Sequence, residues 1–459
     1  MKRLVVVSNR VASNEPKASA GGLAVALDAA LRESEGLWFG WSGKVVDGIG
    51  GTPRITRSGN VTFATIDLEN QDFDDYYNGY GNRTLWPLFH YRADLAVFDR
   101  RYYGGYHRVN ALFAQCLGQL LKPGDVIWVH DFHLIPLGEE LRKLGHKLPL
   151  GFFLHIPFPV PQILTTLFNH KKLVRSLLVY DLIGFQTDSD LRAFEEYVRL
   201  ELGGSVDNRG VISAYGMSVH AQAFPIGIDA QQIANFAVSK QAQRQSERMS
   251  KSLAGRDLII GVDRLDYTKG LPERLNAFEK FLSNFPDNRG RVTLLQIAPP
   301  SRSDVPEYVE IRHELETASG HINGRFSEFD WVPIRYINKA YNRQALAGLF
   351  RASRIGLVTP LRDGMNLVAK EFVAAQNPED PGVLILSRFA GAAQQLVGAL
   401  IVNPHDTDDV AKYIERALLM PLDERRERWR DMMKSVSEND LTAWRENFVR
   451  TLTDIGASG

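Results

Sequence analysis

Two cations, Arg264 and Lys269, lie on one short loop, RLDYTKG, directly after the apolar run LIIGV. Such a pair suits a diphosphate: the arginine as a planar two-pronged donor, the lysine as a point charge. A surface ion pair would also account for them, but Asp266 and Gly270 place both cations in a tight loop above a strand. A third cation, Arg302, follows VTLLQIA and the pair Pro299-Pro300. Further on, RIGLV leads into TPLRDGMNLVAKE, where Asp363-Gly364 opens a loop and Asn366 begins a helix. The unpaired N–H groups and positive dipole end of that helix would meet hydroxyls and a departing diphosphate. Glu371, more than a turn into the helix, would reach ribose hydroxyls. A capping aspartate and a solvated glutamate are the plainer account of the same residues.

The first half of the chain offers different chemistry. The run LVVVS ends in Asn9-Arg10, and a polar loop then reaches Ala20-Gly21-Gly22 and the helical pattern LAVALDAALRE. Glycines at a helix start let backbone N–H groups approach an anion; a tight packing turn would use them equally well. Neither GxGxxG nor a Walker lysine is present, which disfavours a dinucleotide or P-loop site. Asp131, in WVHDFH, stands at the end of an apolar strand, where its carboxylate would accept from sugar hydroxyls. His155 closes the strand LGFFLH; such a histidine can equally be a structural partner. The segment from Tyr76-Tyr77-Asn78 through Leu85-Trp86-Pro87 to His90-Tyr91-Arg92 is rich in rings that would stack on the C–H faces of a sugar or form an aromatic subcore.

These residues need strand ends to hold them. Apolar runs recur at 4–8, 125–130, 150–155, 182–187, 258–262, 292–298, 354–360 and 382–387, with amphipathic stretches such as LIPLGEELRKLG, LRAFEEYVRLEL and LPERLNAFEKFL between them. Strands apolar on both faces and separated by helices indicate doubly wound parallel sheets, an α/β fold. One sheet would need too many strands, so two are expected. The break falls near residue 228, before a polar helix over 235–253 and a new strand at Asp257. The expected organisation is an N-terminal domain 1–228, a C-terminal domain 229–430, and helices over 431–459 packing back on the first. Two such domains imply a cleft at the carboxyl ends of their strands, where ligands of this fold bind.

Composition sets limits. Among 459 residues, 54 Lys and Arg balance 54 Asp and Glu. With no net charge there is no bulk attraction to nucleic acid or an anionic membrane. The single cysteine, Cys116, excludes a disulfide framework and fits a reducing, cytoplasmic compartment. The N-terminal apolar run is too short for a signal peptide, and no run is long enough to span a membrane.

Taken together, the motifs VVVSNR, AGGLA, LWFGWSG, DYYN, LWPLFHYR, WVHDFHL, GFFLHIPFP, GFQT, PIGID, RLDYTKGLPER and TPLRDGMNLVAKE resemble trehalose-6-phosphate synthases. These are retaining glycosyltransferases with two Rossmann-like domains facing a central cleft, the GT-B architecture. The resemblance implies transfer of glucose from a nucleotide-glucose, most often UDP-glucose, to glucose 6-phosphate. It assigns Arg10 and Arg302 to the acceptor's phosphate and Trp41, Tyr77, Trp86 and Asp131 to its sugar. It assigns the donor diphosphate to Arg264, Lys269, Gly21 and Gly22. The donor glucose goes to His155 and the loop Asp363, Gly364, Met365 and Asn366. Glu371 would hold the ribose, Leu367 and Val368 would lie by the nucleotide, and Tyr341 would lie near the base. Catalysis would fall to Arg264, Lys269, Asp131, His155 and Asp363, with neither cofactor nor metal, and the assembly would be a homodimer or homotetramer. The short loop after Arg10 and the short C-terminus depart from the family pattern, and an appended phosphatase-like domain is not expected. Glycerol 3-phosphate as acceptor and a non-transferring sensor are the competing readings, and the base is not settled by sequence.

Overall fold

The computed structural model describes residues 3–11, 27, 31, 35–48, 50–301 and 305–458, with side chains to 456. Gly21, Gly22 and Arg302 lie outside the described residues. Of the helix expected over LAVALDAALRE, only Leu27 and Leu31 are described, both helical and buried.

The chain forms two compact units, one of residues 1–226 with 442–459 and the other of residues 227–441. The strands of unit 1 are β1 (Leu4–Arg10), β2 (Leu37–Val46), β3 (Arg54–Ser58), β4 (Val61–Glu69), β5 (Val126–His130), β6 (Leu150–Phe153), β7 (Leu182–Phe185), β8 (Ser205–Val206), β9 (Val211–Ala214) and β10 (Met217–Ala223). They pair in the order β3-β4-β2-β1-β5-β6-β7-β10-β9-β8. Numbering only β1, β2, β4, β5, β6 and β7 along the chain, the parallel core reads 3-2-1-4-5-6. Antiparallel β3 extends one edge, and β10 with the antiparallel β9 and β8 extends the other.

Unit 2 holds β11 (Asp257–Val262), β12 (Val292–Ile297), β13 (Ile334–Ile337), β14 (Ile355–Val358), β15 (Val383–Ser387) and β16 (Leu400–Val402), all parallel, in the order β13-β12-β11-β14-β15-β16. Numbered within the unit this is again 3-2-1-4-5-6, the Rossmann order. Burial explains the continuous apolar runs: Val5–Val7, Ile259 and Leu384–Leu386 are shielded from water on both faces.

The polar helix expected over 235–253 is two helices, α1 (Ala230–Ala237) and α2 (Lys240–Leu253). Ser239 makes the break, its hydroxyl accepting from the Ala242 N–H as an N-cap. The helices that carry site residues are α3 (Leu271–Asn284), α4 (Arg343–Arg351) and α5 (Leu367–Ala375). The C-terminal helical segment is divided. Helix α6 (Leu422–Glu438) stays with unit 2, whereas α7 (Leu441–Ser458) belongs, from Thr442, to unit 1. There Trp444, Phe448 and Leu452 are buried, and Phe448 stacks on Trp128 at 4.6 Å. A Cβ at Gly184 would stand 2.8 Å from the Phe448 ring, so glycine in β7 lets the helix sit close to the sheet. No described helix is long and apolar enough to cross a membrane.

Candidate active site

In a 3-2-1-4-5-6 sheet the strand order reverses between the first and fourth strands, and ligands bind beyond the carboxyl ends at that point. In unit 1 the reversal lies between β1 and β5, which end at Arg10 and just before Asp131. In unit 2 it lies between β11 and β14, which lead into the Arg264–Lys269 loop and the Asp363 loop.

The unit 1 site is mostly aromatic. Arg10 pairs in register with Trp41 on β2, and its exposed guanidinium lies 5.8 Å from the Trp41 ring centre. Gly43 stands at φ +88°, a backbone conformation that side chains rarely adopt, and the space where its Cβ would be is taken by the Arg10 guanidinium. Tyr77 stacks on Phe73 at 5.5 Å and on His133 at 5.7 Å, and meets Trp41 at 5.4 Å. It rides on a π-helix, Phe73–Leu85, whose wider turn is closed where the Trp86 N–H bonds to the Gly81 carbonyl. Helices of this kind are rare and gather at functional sites. Trp86 follows at once, 4.2 Å from His90 and 5.8 Å from Phe132. Phe132 lies against His133 at 3.9 Å, so Arg10, Trp41, Tyr77 and Trp86 belong to one continuous wall.

Asp131 has φ +75°, a costly conformation for a residue with a side chain, and such strain gathers at functional positions. Its carboxylate accepts from the His155 backbone N–H at 3.2 Å. That bond ties the β5 turn to the β6 turn, a structural tie that the sequence does not show. His155 is half-buried, and its imidazole pKa is driven down to about 3 by burial, so the ring is neutral.

The unit 2 site is ionic. Lys269, 8 % exposed, places Nζ 2.5 Å from Asp363 Oδ2. Asp363 also accepts from Asn366 Nδ2 at 3.1 Å. Asn366 Oδ1 in turn caps α5 by accepting from Ala369 N–H, with Asn366 itself at φ +72°. Gly364 and Met365 are buried between them, and Leu367 and Val368 are half-buried. Arg264 is exposed on the same loop as Lys269. Glu371 is half-buried and faces Arg343 on α4 at 3.4 Å. Burial raises its carboxyl pKa, and the guanidinium opposes the rise. Tyr341, just before α4, has the Lys339 ammonium 5.6 Å from its ring centre.

Beneath this loop lies a group that the sequence reading passed over. Arg274 on α3 is fully buried, 2.8 Å from Asp263, and bonds Gln296 at 3.0 Å, Thr359 at 3.0 Å and the Lys269 carbonyl at 3.4 Å. It thus joins the ends of β11, β12 and β14 to the cation-bearing loop. Asp263, pushed upward by burial, is pulled back by Arg274 and Lys269. An arginine inside the apolar stripe Leu271, Leu275, Phe278, Leu282 was the available signal. His133 was within reach too, two residues past Asp131. Among the described residues, no three His, Cys, Asp or Glu gather closely enough to hold a metal.

The chain matches the glycosyltransferase family 20 profile over residues 2–454. It is 50% identical to the trehalose-6-phosphate synthase of Sinorhizobium fredii across 99% of this chain and 98% of that one. The α,α-trehalose-phosphate synthase (UDP-forming) of Burkholderia vietnamiensis superposes with a TM-score of 0.97 at 51% identity, covering 100% of this chain and 98% of the other. The Burkholderia xenovorans enzyme of the same name, solved in complex with glucose-6-phosphate, gives 0.95 at 54% identity over 98% and 100%. Both units have the Rossmann order expected of a GT-B enzyme, and the chain belongs to glycosyltransferase family 20.

Proposed function

We propose that this chain is a UDP-forming α,α-trehalose-phosphate synthase, transferring glucose from UDP-glucose to glucose 6-phosphate with retention. The observation that carries the reading is full-length similarity to enzymes of that name, one of them holding glucose-6-phosphate. The side chains at both strand-order reversals suit those substrates. In unit 1, Arg10 takes the acceptor phosphate and Trp41, Tyr77, Trp86 and Asp131 take its sugar. Arg302, Gly21 and Gly22 keep the roles implied by the family resemblance. Arg264 and Lys269 meet the donor diphosphate, while Asp363, Gly364, Met365, Asn366 and His155 meet its glucose. Glu371 holds the ribose, with Leu367, Val368 and Tyr341 by the nucleotide.

Donor and product both carry an α-linked glucose. A retaining glycosidase would use two carboxyl groups about 5 Å apart, one as nucleophile. We assign instead a same-face attack through an oxocarbenium-like state, in which the acceptor hydroxyl passes its proton to the departing diphosphate. The protein then works by positioning and by stabilising charge. Asp363 now occupies the Lys269 ammonium, and a diphosphate oxygen would compete for the same cation. No metal or cofactor is part of the proposal; a cytoplasmic homodimer or homotetramer is its expected form.

The test is a matrix of nucleotide-glucose donors against phosphorylated acceptors, with product identified by NMR. UDP-glucose with glucose 6-phosphate should give α,α-trehalose 6-phosphate and UDP, unaffected by chelator. Preference for glycerol 3-phosphate, or no release of nucleoside diphosphate with any pair, contradicts the proposal.

A further inference from the structure

One backbone N–H determines every proton in a relay that passes through His155. The Ile226 N–H can only donate, and it does so to Gln186 Oε1 at 3.0 Å. That orients the amide, so Gln186 Nε2 faces His155 Nδ1 at 3.3 Å. An amide nitrogen offers only hydrogens. His155 Nδ1 therefore carries the lone pair, and the proton of the neutral ring sits on Nε2. That Nε2–H points at His130 Nδ1, 3.0 Å away, which must accept; His130 is then also protonated at Nε2. The opposite assignment would set His155 Nδ1–H against the Gln186 amide hydrogens, two donors face to face. Gln186 and His130 are 2 % and 1 % exposed, so neither can exchange its partner for water, whereas His155 itself is half-buried. Burial holds both imidazoles neutral, and for His130 the neighbouring His155 adds to the downward shift. The arrangement leaves the His130 Nε2–H buried beside the Trp128 ring, 4.5 Å between centres, without a protein hydrogen-bond partner.

We propose that Gln186 and His130 are positioning residues that hold His155 as a hydrogen-bond acceptor at Nδ1, with the tautomer set from Ile226. This rests on the reading that His155 meets the donor's glucose, and it deepens that reading. A sugar hydroxyl reaching Nδ1 must donate its proton, and it competes there with the longer of the ring's two protein contacts. Ile226 is the last residue of unit 1 before the chain enters unit 2. Any shift of that backbone N–H alters the Gln186 amide and, through it, the ring.

The experiment uses the full chain with 15N-labelled histidine. Two-bond proton–nitrogen correlations distinguish the neutral tautomers, with assignment by His155→Ala. The wild type should show His155 protonated at Nε2 and bare at Nδ1. In Gln186→Glu the carboxylate accepts from both Ile226 and His155, so Nδ1 should acquire a proton. The KM for UDP-glucose should then rise about tenfold, roughly one hydrogen bond, with the KM for glucose 6-phosphate unchanged. Gln186→Met, which removes the amide, should leave both tautomers populated, with a smaller rise. A wild-type ring protonated at Nδ1, or Gln186→Glu and Gln186→Met spectra identical to wild type, overturns the proposal. If the tautomer flips but donor kinetics do not change while His155→Ala is impaired, the positioning role fails alone. If His155→Ala itself is unimpaired, the underlying assignment of His155 fails, and the tautomer result still stands apart from it.

Discussion

Both units share the strand order 3-2-1-4-5-6, yet they place opposite chemistry at the same topological point. Unit 1 surrounds its reversal with rings: Trp41, Tyr77, His133 and Trp86, with the His130 and His155 imidazoles held neutral by burial and the exposed guanidinium of Arg10. Unit 2 fills its reversal with charge: Lys269 on Asp363, Arg274 on Asp263, Arg343 on Glu371, and Arg264 exposed above them. The fold therefore selects where a ligand binds, and the side chains after the strands select what it is. A wall of rings suits a sugar's C–H faces, and Arg10 beside it suits a phosphate. A charged floor suits a diphosphate whose negative charge grows as the bond to glucose breaks.

The contrast can be broken in several places. The largest effect is expected at Arg274→Met, which leaves Asp263 as an unpaired buried carboxylate. Removing one partner of a buried pair costs about 3–5 kcal/mol, read as a fall in the denaturant midpoint of unit 2. The double change Arg274→Met with Asp263→Leu should recover much of it. Equal loss in the double variant would mean that packing, and not charge, holds the loop.

Next comes Arg264→Ala, expected to lower kcat by about 10²–10³ while leaving glucose 6-phosphate binding intact. Single-turnover rates near normal would remove Arg264 from the leaving-group role. Arg10→Ala should be milder, because its guanidinium is exposed. A lost charge-assisted bond of about 1.5–3 kcal/mol raises the KM for glucose 6-phosphate with little change in kcat. An unchanged KM would give the acceptor phosphate to another residue.

The last effect is silent at neutral pH and appears only in acid. His155 titrates at about 3 in the fold, below the roughly 6.5 of an unfolded histidine. The unfolded chain therefore takes up the proton first, and stability falls as pH drops from about 6.5 towards 3. His130 shifts in the same direction. The activity of the pair should show no titration between pH 6 and 8, and His130→Phe should lessen the acid loss in a melting series. A His155 resonance titrating near 6.5 would contradict its burial.

Much of this was legible in the sequence where burial imposes a pattern. Strands shielded on both faces read as apolar runs, and the polar residues just beyond them, Asp131, His155, Lys269 and Asp363, stand at the turns where those runs placed them. Edges were less legible. Strand β3, RITRS, is largely exposed, β13 is half-buried and β16 is three residues long, so none carries a continuous apolar signal. The aromatic segment announced itself by composition, but the i→i+5 turn of a π-helix is too rare to be expected from a sequence. Pairings between distant residues were not legible at all. Asp263 and Arg274 meet only because α3 packs on β11, and His130 meets His155 only because β5 and β6 are neighbours.

The central claim is a division of labour: the ionic reversal of unit 2 holds the nucleotide, and the aromatic reversal of unit 1 holds the phosphorylated sugar. Calorimetric titration of UDP and of glucose 6-phosphate, separately, into Arg264→Ala and Arg10→Ala tests it most directly. Arg264→Ala should lose UDP affinity and keep glucose 6-phosphate, and Arg10→Ala should do the reverse. Equal weakening of both ligands by either substitution, or the opposite pairing, would contradict it.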